Sequence, residues 1–200
     1  MEGRRVAWDV DAYLARVRVG CFVCGLLSGE PGSEHDVVHR DDVGVVFLAR
    51  YPVVWGHVLV APVAHLEHVV DDVSPDDHLR LQALVHRAGR ALTSVLPTER
   101  LYVLSLGSQQ GNRHVHWHLV PLPPGVPYHE QQTALFDVRN GWREFPPDEL
   151  RLLAASPIEA ASRRRPAEQS GAARCCSLRG RSASMHRLRT EETRWSIPTR

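Results

Sequence analysis

The 200-residue chain has no lysine, so all 24 of its fixed positive charges are arginine. That fits a coding bias as well as any function, and no functional conclusion follows from it. Long apolar runs are also missing. No stretch approaches the roughly 20 apolar residues that cross a bilayer, and the opening "MEGRRVAWDVDAYLARVRVG" has no apolar core of signal-peptide length. The chain therefore reads as soluble and cytoplasmic, with no membrane partner. Cysteine is scarce as well: four residues are too few for a disulfide scaffold, and they fall as Cys21/Cys24 and Cys175/Cys176. The first pair has metal-ligand spacing; the second has no clear use.

The net charge of +1 conceals an uneven distribution. Residues 163–200 hold ten arginines against three acidic residues, which leaves fourteen against twenty, a net −6, in residues 1–162. Beyond about residue 160 the composition shifts to arginine, serine, alanine and glycine, too poor in large aliphatic side chains to offset the entropy of ordering. Residues 161–200 are expected to form a basic, disordered tail. Without repeats, interleaved aromatics or a motif, the tail is not expected to bind nucleic acid.

With 43% hydrophobic residues the rest can build one ordinary core. Residues 9–17 suit a short helix behind Asp9 or Asp11, so residues 1–20 read as a partly helical extension. "CFVCGLLSGEPGSEH" then reads as a turn through glycines and a proline. "DVVH", "GVVFLAR" and "GHVLVAP" are short β-branched runs with brief turns between them, as in successive antiparallel strands. Ser74 can cap a long helix with Asp77 three residues on, and Leu81, Leu84, Val85, Ala88, Leu92 and Val95 share one face before Pro97 ends it. "RLYVLSLG" and "VHWHLVPL" return to strand alternation across the polar loop "SQQGNR". A last helix is expected in residues 146–162, opened by Pro146 and Pro147.

The informative stretch is "GNRHVHWHLVPLPPG", residues 111–125. In a strand, His114, His116 and His118 would lie on one face about 6.5–7 Å apart, with Val115, Trp117 and Leu119 turned to a core. Three such histidines would each need a hydrogen-bond partner and would sacrifice packing, so a purely structural role is a poor explanation. Two chemistries stay open on this evidence: a metal site, or an imidazole cluster acting on an anionic substrate. "GHVLVAPVAH" adds His57 and His65, and "CFVC" adds two thiols at the spacing of zinc knuckles.

Taken together, these segments resemble the histidine triad family. "HVHWHLV" fits its alternating histidine pattern, "PVVWGHVLVAPVAHLEH" is similar to its upstream "PGHxLVxPxxH" stretch, and "CFVCGLLSGE" is similar to the cysteine motif that opens many bacterial members. The three segments occur in the family's order over residues 21–122, and the resemblance extends over roughly residues 9–160, with residues 21–160 as the domain proper. It implies an α+β fold with a five-stranded antiparallel sheet and two main helices, usually a homodimer, that binds a nucleotide. Members hydrolyse or transfer nucleotidyl groups of phosphoramidates, acyl-nucleotides or dinucleoside polyphosphates through a covalent nucleotidyl-histidine.

The resemblance makes His116 the nucleophile, an apt role because a neutral imidazole persists near pH 7. His118 and His57 would line the phosphate pocket and steady charge on its oxygens, and no catalytic metal is required. In members with the cysteine motif the positions matching Cys21, Cys24, His65 and His114 hold a structural zinc. Two positions depart from the pattern. Ala49 stands where members usually carry an aspartate or asparagine for the ribose, with Arg50 beside it as a substitute. Gly111 stands where a serine or threonine commonly assists the leaving group, flanked by Gln110 and Asn112, whose amides could replace it. These departures keep a rival open, a nucleotide- or partner-binding module without turnover. A second rival makes the triad itself a catalytic metal centre. "YHEQQ", with His129, Gln131 and Gln132, is a polar loop where substrate or a partner subunit could be met.

Overall fold

The computed structural model describes residues 2–156. The basic tail expected at 161–200 and residues 157–162 of the expected last helix lie outside the described residues. The chain begins with β1, Arg4–Val6, and then α1, Val10–Val19, which opens where Asp9 accepts a hydrogen bond from the Ala12 N–H at 2.9 Å. The glycine-rich segment expected to be a turn instead holds a helix, α2, Phe22–Ser28. The Cys21 sulfur accepts from the Cys24 N–H at its start, and Gly29 at φ 73° closes it in the left-handed conformation that glycine takes without penalty.

Strands β2, Val37–Arg40, β3, Gly44–Leu48, and β4, Val58–Pro62, follow as an antiparallel meander. The turn between β2 and β3 is tied by Asp41, whose Oδ1 accepts from the N–H groups of Val43 and Gly44. The long helix α3, Pro75–Val95, starts at Ser74, whose hydroxyl accepts from the Asp77 N–H at 3.1 Å. After it come β5, Arg100–Ser105, and β6, Trp117–Leu122. Three short 3-10 turns between 128 and 140 lead to β7, Trp142–Glu144, and α4, Pro147–Ala154.

The main sheet runs β2-β3-β4-β6-β5, antiparallel throughout, and β1 pairs with β7 in a separate two-stranded ribbon that joins the two ends of the described chain. This is the α+β architecture expected from the sequence. Every residue of β3 and β4 is buried, because both faces of the sheet are covered. On one face Leu81, Leu84, Val85, Ala88 and Leu92 of α3 pack with Val46, Val58, Val60 and Leu119, joined by Leu153 and Ala154 of α4. On the other, Val23 of α2 packs with Val45, Phe47, Leu59 and Ala61.

One difference from the expected layout matters for function. The strand carrying the histidines begins at Trp117 rather than at Val115: β5 ends at Ser105, opposite Trp117, and pairing with β4 ends at Val60, although β4 itself runs on to Pro62 beside β3. Before that point the backbone takes a different partner, the Val115 N–H donating to the Leu66 carbonyl at 2.7 Å. His114 and His116 therefore lie beyond the sheet, where the three rings need not line up as a single strand face.

Candidate functional site

Strand alternation still governs the residues nearest the sheet. Val115, Trp117 and Leu119 are buried in the core beneath α3, and His118, between Leu59 of β4 and Leu104 of β5, is turned to the opposite face. His116 is 4% exposed, and its ring centroid is 4.9 Å from that of His118. Its Nδ1 is 2.7 Å from the carbonyl oxygen of His114. A carbonyl can only accept, so the His116 proton sits on Nδ1 and Nε2 keeps its lone pair.

His118 is set by a second chain of bonds. The Val53 N–H donates to His57 Nδ1 at 3.3 Å, so the His57 proton is on Nε2, which lies 2.9 Å from His118 Nδ1. With His118 Nδ1 accepting, the N–H of His118 is on Nε2. Two neutral rings side by side thus offer opposite chemistry, a lone pair on His116 and a donor on His118. Burial keeps them neutral, lowering the pKa of His57, His116 and His118 below 6.5, and the neighbouring imidazoles reinforce this for His57 and His118.

The histidines border a cavity of about 1020 Å³. On one side of them Phe22 meets His116 edge-on at 5.6 Å, and His35 lies parallel to Phe47 with centroids 5.0 Å apart. On the other, Phe136 stands 5.5 Å from His118. Helix α1 also borders the cavity, with Tyr13 in an aromatic group with Trp8, at 4.9 Å, and Tyr51, at 5.7 Å. None of these aromatics was singled out from the sequence. Trp8, Tyr51 and Phe136 are too far apart along the chain for any local periodicity to group them.

Ala49, Arg50, Gln110, Gly111 and Asn112 all border the same cavity. The Arg50 guanidinium is engaged by the carbonyls of Gly32, at 3.0 Å, and Glu34, at 2.8 Å. The Gln110 carbonyl accepts from Arg18 at 3.4 Å, and the Asn112 side-chain amide donates to the Tyr13 hydroxyl. Gly111 is buried against α1: a Cβ there would sit 2.4 Å from Cγ2 of Val17. The "YHEQQ" loop does not border this cavity; Gln131 accepts from the Tyr102 hydroxyl at 3.3 Å and His129 is at a separate hollow.

The His114 ring faces elsewhere, into a group with Cys21, Cys24 and His65 that could hold a metal ion. Its Nδ1 is 3.3 Å from the Cys21 sulfur and 3.7 Å from that of Cys24, and His65 Nδ1 is 3.2 Å from the Cys24 sulfur. All four donor atoms lie within 4.8 Å of one another. Both imidazoles present a lone pair inward, because their outer nitrogens meet acceptors: His114 Nε2 is 3.0 Å from the Pro62 carbonyl and His65 Nε2 is 3.3 Å from a Glu67 carboxylate oxygen. Without a cation, burial and the adjacent Cys21 thiol push the Cys24 thiol up to about 11; a bound cation would favour the thiolate instead.

Comparison with known proteins agrees with this geometry. The family model of the HIT domain matches residues 30–124. An uncharacterised HIT-like protein of Saccharolobus solfataricus is 30% identical over 104 residues, covering 50% of this chain and 73% of that one. Among solved structures, a hypothetical histidine triad nucleotide-binding protein of Sulfolobus tokodaii superposes with TM-score 0.56 at 22% identity, over 71% of this chain and 91% of that one. A zinc-bound histidine triad family protein of Mycobacterium smegmatis gives 0.54 at 22% identity, over 72% and 94%. With the alternating histidines, the five-stranded sheet and a relative at this level of identity, the chain belongs to the histidine triad family.

Proposed function

We propose that the protein is a nucleotide-binding hydrolase or nucleotidyl transferase that acts at the α-phosphate of nucleotide phosphoramidates, acyl-nucleotides or dinucleoside polyphosphates. The observation that carries this reading is the His116 Nδ1 contact with the His114 carbonyl, which leaves Nε2 unprotonated at the edge of the cavity. Nε2 attacks phosphorus and forms a P–N bond as the bond to the leaving group breaks, giving a nucleotidyl-histidine. Water, or an acceptor in a transfer, then attacks phosphorus, and His116 returns to its neutral form. The His118 Nε2–H donates to a non-bridging phosphoryl oxygen. His57, whose two nitrogens engage Val53 and His118, holds that donor in place.

In this reading zinc is structural. Four protein donors complete a tetrahedron, and zinc bond lengths of about 2.3 Å to sulfur and 2.0–2.1 Å to nitrogen place sulfur and nitrogen ligands about 3.5 Å apart. The sulfur to nitrogen distances of 3.2, 3.3 and 3.7 Å match that spacing. The zinc-bound mycobacterial relative has the same fold. Bound there, the ion would tie α2 to the histidine segment and contribute to folding.

The binding-module reading draws support from Ala49 and Gly111, which lack the polar side chains common at those positions. One experiment separates the two. Nucleoside phosphoramidates are incubated with parent protein and with His116→Ala, and the acid-quenched parent is searched by mass spectrometry for an added nucleotidyl group on His116. Turnover and an adduct in the parent, both absent from a variant that still binds AMP, support the enzyme. A parent with neither across nucleosides and leaving groups is a binding module. The homodimer that the resemblance implies is compatible with β5, an edge strand whose Val103 is 47% exposed; sedimentation equilibrium measures it. Among the described residues no helix is long and apolar enough to cross a membrane.

A further inference from the structure

Helix α1 borders the cavity, yet none of its residues is buried. Besides its aromatic packing and its arginine contacts, it meets residues 111 and 112 at two points. Val17 fills the space that a side chain at Gly111 would need, its Cγ2 lying 2.4 Å from where a Cβ would be. One turn earlier on α1, Tyr13 receives a hydrogen bond from the Asn112 side-chain amide. The helix therefore occupies the position from which a residue-111 hydroxyl would act, and it brings a hydroxyl of its own.

We propose that the Tyr13 phenol is the proton donor to the leaving group, supplied from α1 in place of the side chain that Gly111 lacks. The proposal rests on the nucleotidyl-transfer reading above. The direction of the hydrogen bond suits the role: Asn112 donates to the phenolic oxygen, so the phenol's own proton is free for a second acceptor. Tyr13 borders the same cavity as His116 and His118. Its ring is held edge-on by Trp8 at 4.9 Å and by Tyr51 at 5.7 Å. Burial raises its pKa above 10.0, so the group is protonated at neutral pH.

The step balances as follows for an alkylamine phosphoramidate. His116 Nε2 forms its bond to phosphorus while the bond from phosphorus to the amine nitrogen breaks with its electron pair. That nitrogen takes the Tyr13 proton and departs as a neutral amine, leaving a phenolate beside a nucleotidyl-imidazolium. Water then attacks phosphorus, His116 leaves as neutral imidazole, and the proton lost by water returns to the phenolate.

The test is Tyr13→Phe, which keeps the ring in its aromatic group and removes only the hydroxyl. Two adenosine 5′-phosphoryl substrates are compared, one with an alkylamine leaving group, which needs a proton, and one with p-nitrophenol, which departs as a stable anion. The expected result is a fall of about 100-fold in kcat/KM for the alkylamine substrate and a change within about threefold for the p-nitrophenyl ester. An equal fall for both marks the hydroxyl as merely structural and overturns the proposal, as does no fall for either. If the parent turns over neither substrate and forms no adduct on His116, the nucleotidyl-transfer reading fails and this proposal fails with it. Turnover by the parent with an unselective Tyr13→Phe effect refutes the tyrosine alone.

Discussion

The ring nitrogen of His116 donates to the backbone carbonyl of His114 across 2.7 Å, while the His114 ring itself lies 3.3 Å from the Cys21 sulfur. One residue therefore serves two sites, its imidazole facing the candidate metal group and its carbonyl choosing the tautomer of the neighbouring ring. Whatever steadies the Cys21, Cys24, His65 and His114 group also steadies the acceptor that keeps His116 Nε2 free.

Glu67 is expected to matter for metal affinity although it is no ligand. Its carboxylate accepts from His65 Nε2 at 3.3 Å and lies 3.4 Å from the Arg113 guanidinium, bridging the two segments that carry the histidines. Removing such an outer partner typically costs 10–100-fold in affinity, and Glu67→Ala should weaken zinc binding by about that factor. Competition with a chromophoric chelator measures it, and parent-like affinity would exclude the role.

His57 is expected to act through His118. His57→Phe leaves His118 Nδ1 without its donor and frees the ring to turn, so kcat should fall by about 100-fold, the scale of a 1 Å misplacement. Affinity for AMP should move much less. Steady-state kinetics together with calorimetric titration of AMP check the pair of outcomes, and full turnover in the variant would contradict it.

Gly111 has a packing role that two substitutions can expose. Gly111→Ala forces a methyl group to 2.4 Å from Val17 Cγ2, and overpacking of this kind costs about 1–3 kcal/mol. Val17→Ala in the same chain makes room and should recover most of the loss. Urea unfolding of both variants gives the answer, and strict additivity would show that the two residues do not meet.

Stability should fall as pH drops from 6.5 toward about 4, and His35 is one cause. Burial lowers its folded-state pKa from 6.5 to about 4, with the Arg16 charge adding to the shift. Between those values the unfolded chain takes up a proton that the folded chain does not, so acid favours unfolding; above pH 6.5 the contribution is fully present. The ring is stacked on Phe47, and its buried Nε2 has no hydrogen-bond partner among the described residues. His35→Phe should flatten the dependence of Tm on pH within that window, and an unchanged slope would assign the acid sensitivity to other groups.

Much of this arrangement is legible locally. Ser74, Asp77 and the apolar face from Leu81 to Leu92 mark out α3, because capping and helical periodicity are properties of neighbours in the chain. The β-branched runs at β3 and β4 likewise mark out strands, while their burial on both faces is seen only in the structure. The helix α2 was not legible, since it depends on Cys21 accepting from the Cys24 N–H in a stretch whose glycines suggest a turn. The ribbon of β1 with β7 was hidden as well, because Arg4 and Glu144 are paired across 140 positions and neither strand has more than three residues.

The sequence alone determined the chemistry at hand: three alternating histidines, two more upstream, a pair of spaced thiols, and alternation that sends Val115, Trp117 and Leu119 to the core. The resemblance implied how these groups divide, and the tertiary structure gives the physical cause. The sheet stops at Trp117, so the His114 ring joins Cys21, Cys24 and His65 while His116 and His118 stay together at the cavity. Part of the cavity lining comes from α1, whose Tyr13 meets Asn112 from 99 residues away. Local pattern specifies which side chains share a face, whereas where a strand ends and what closes over it depend on partners distant in the chain.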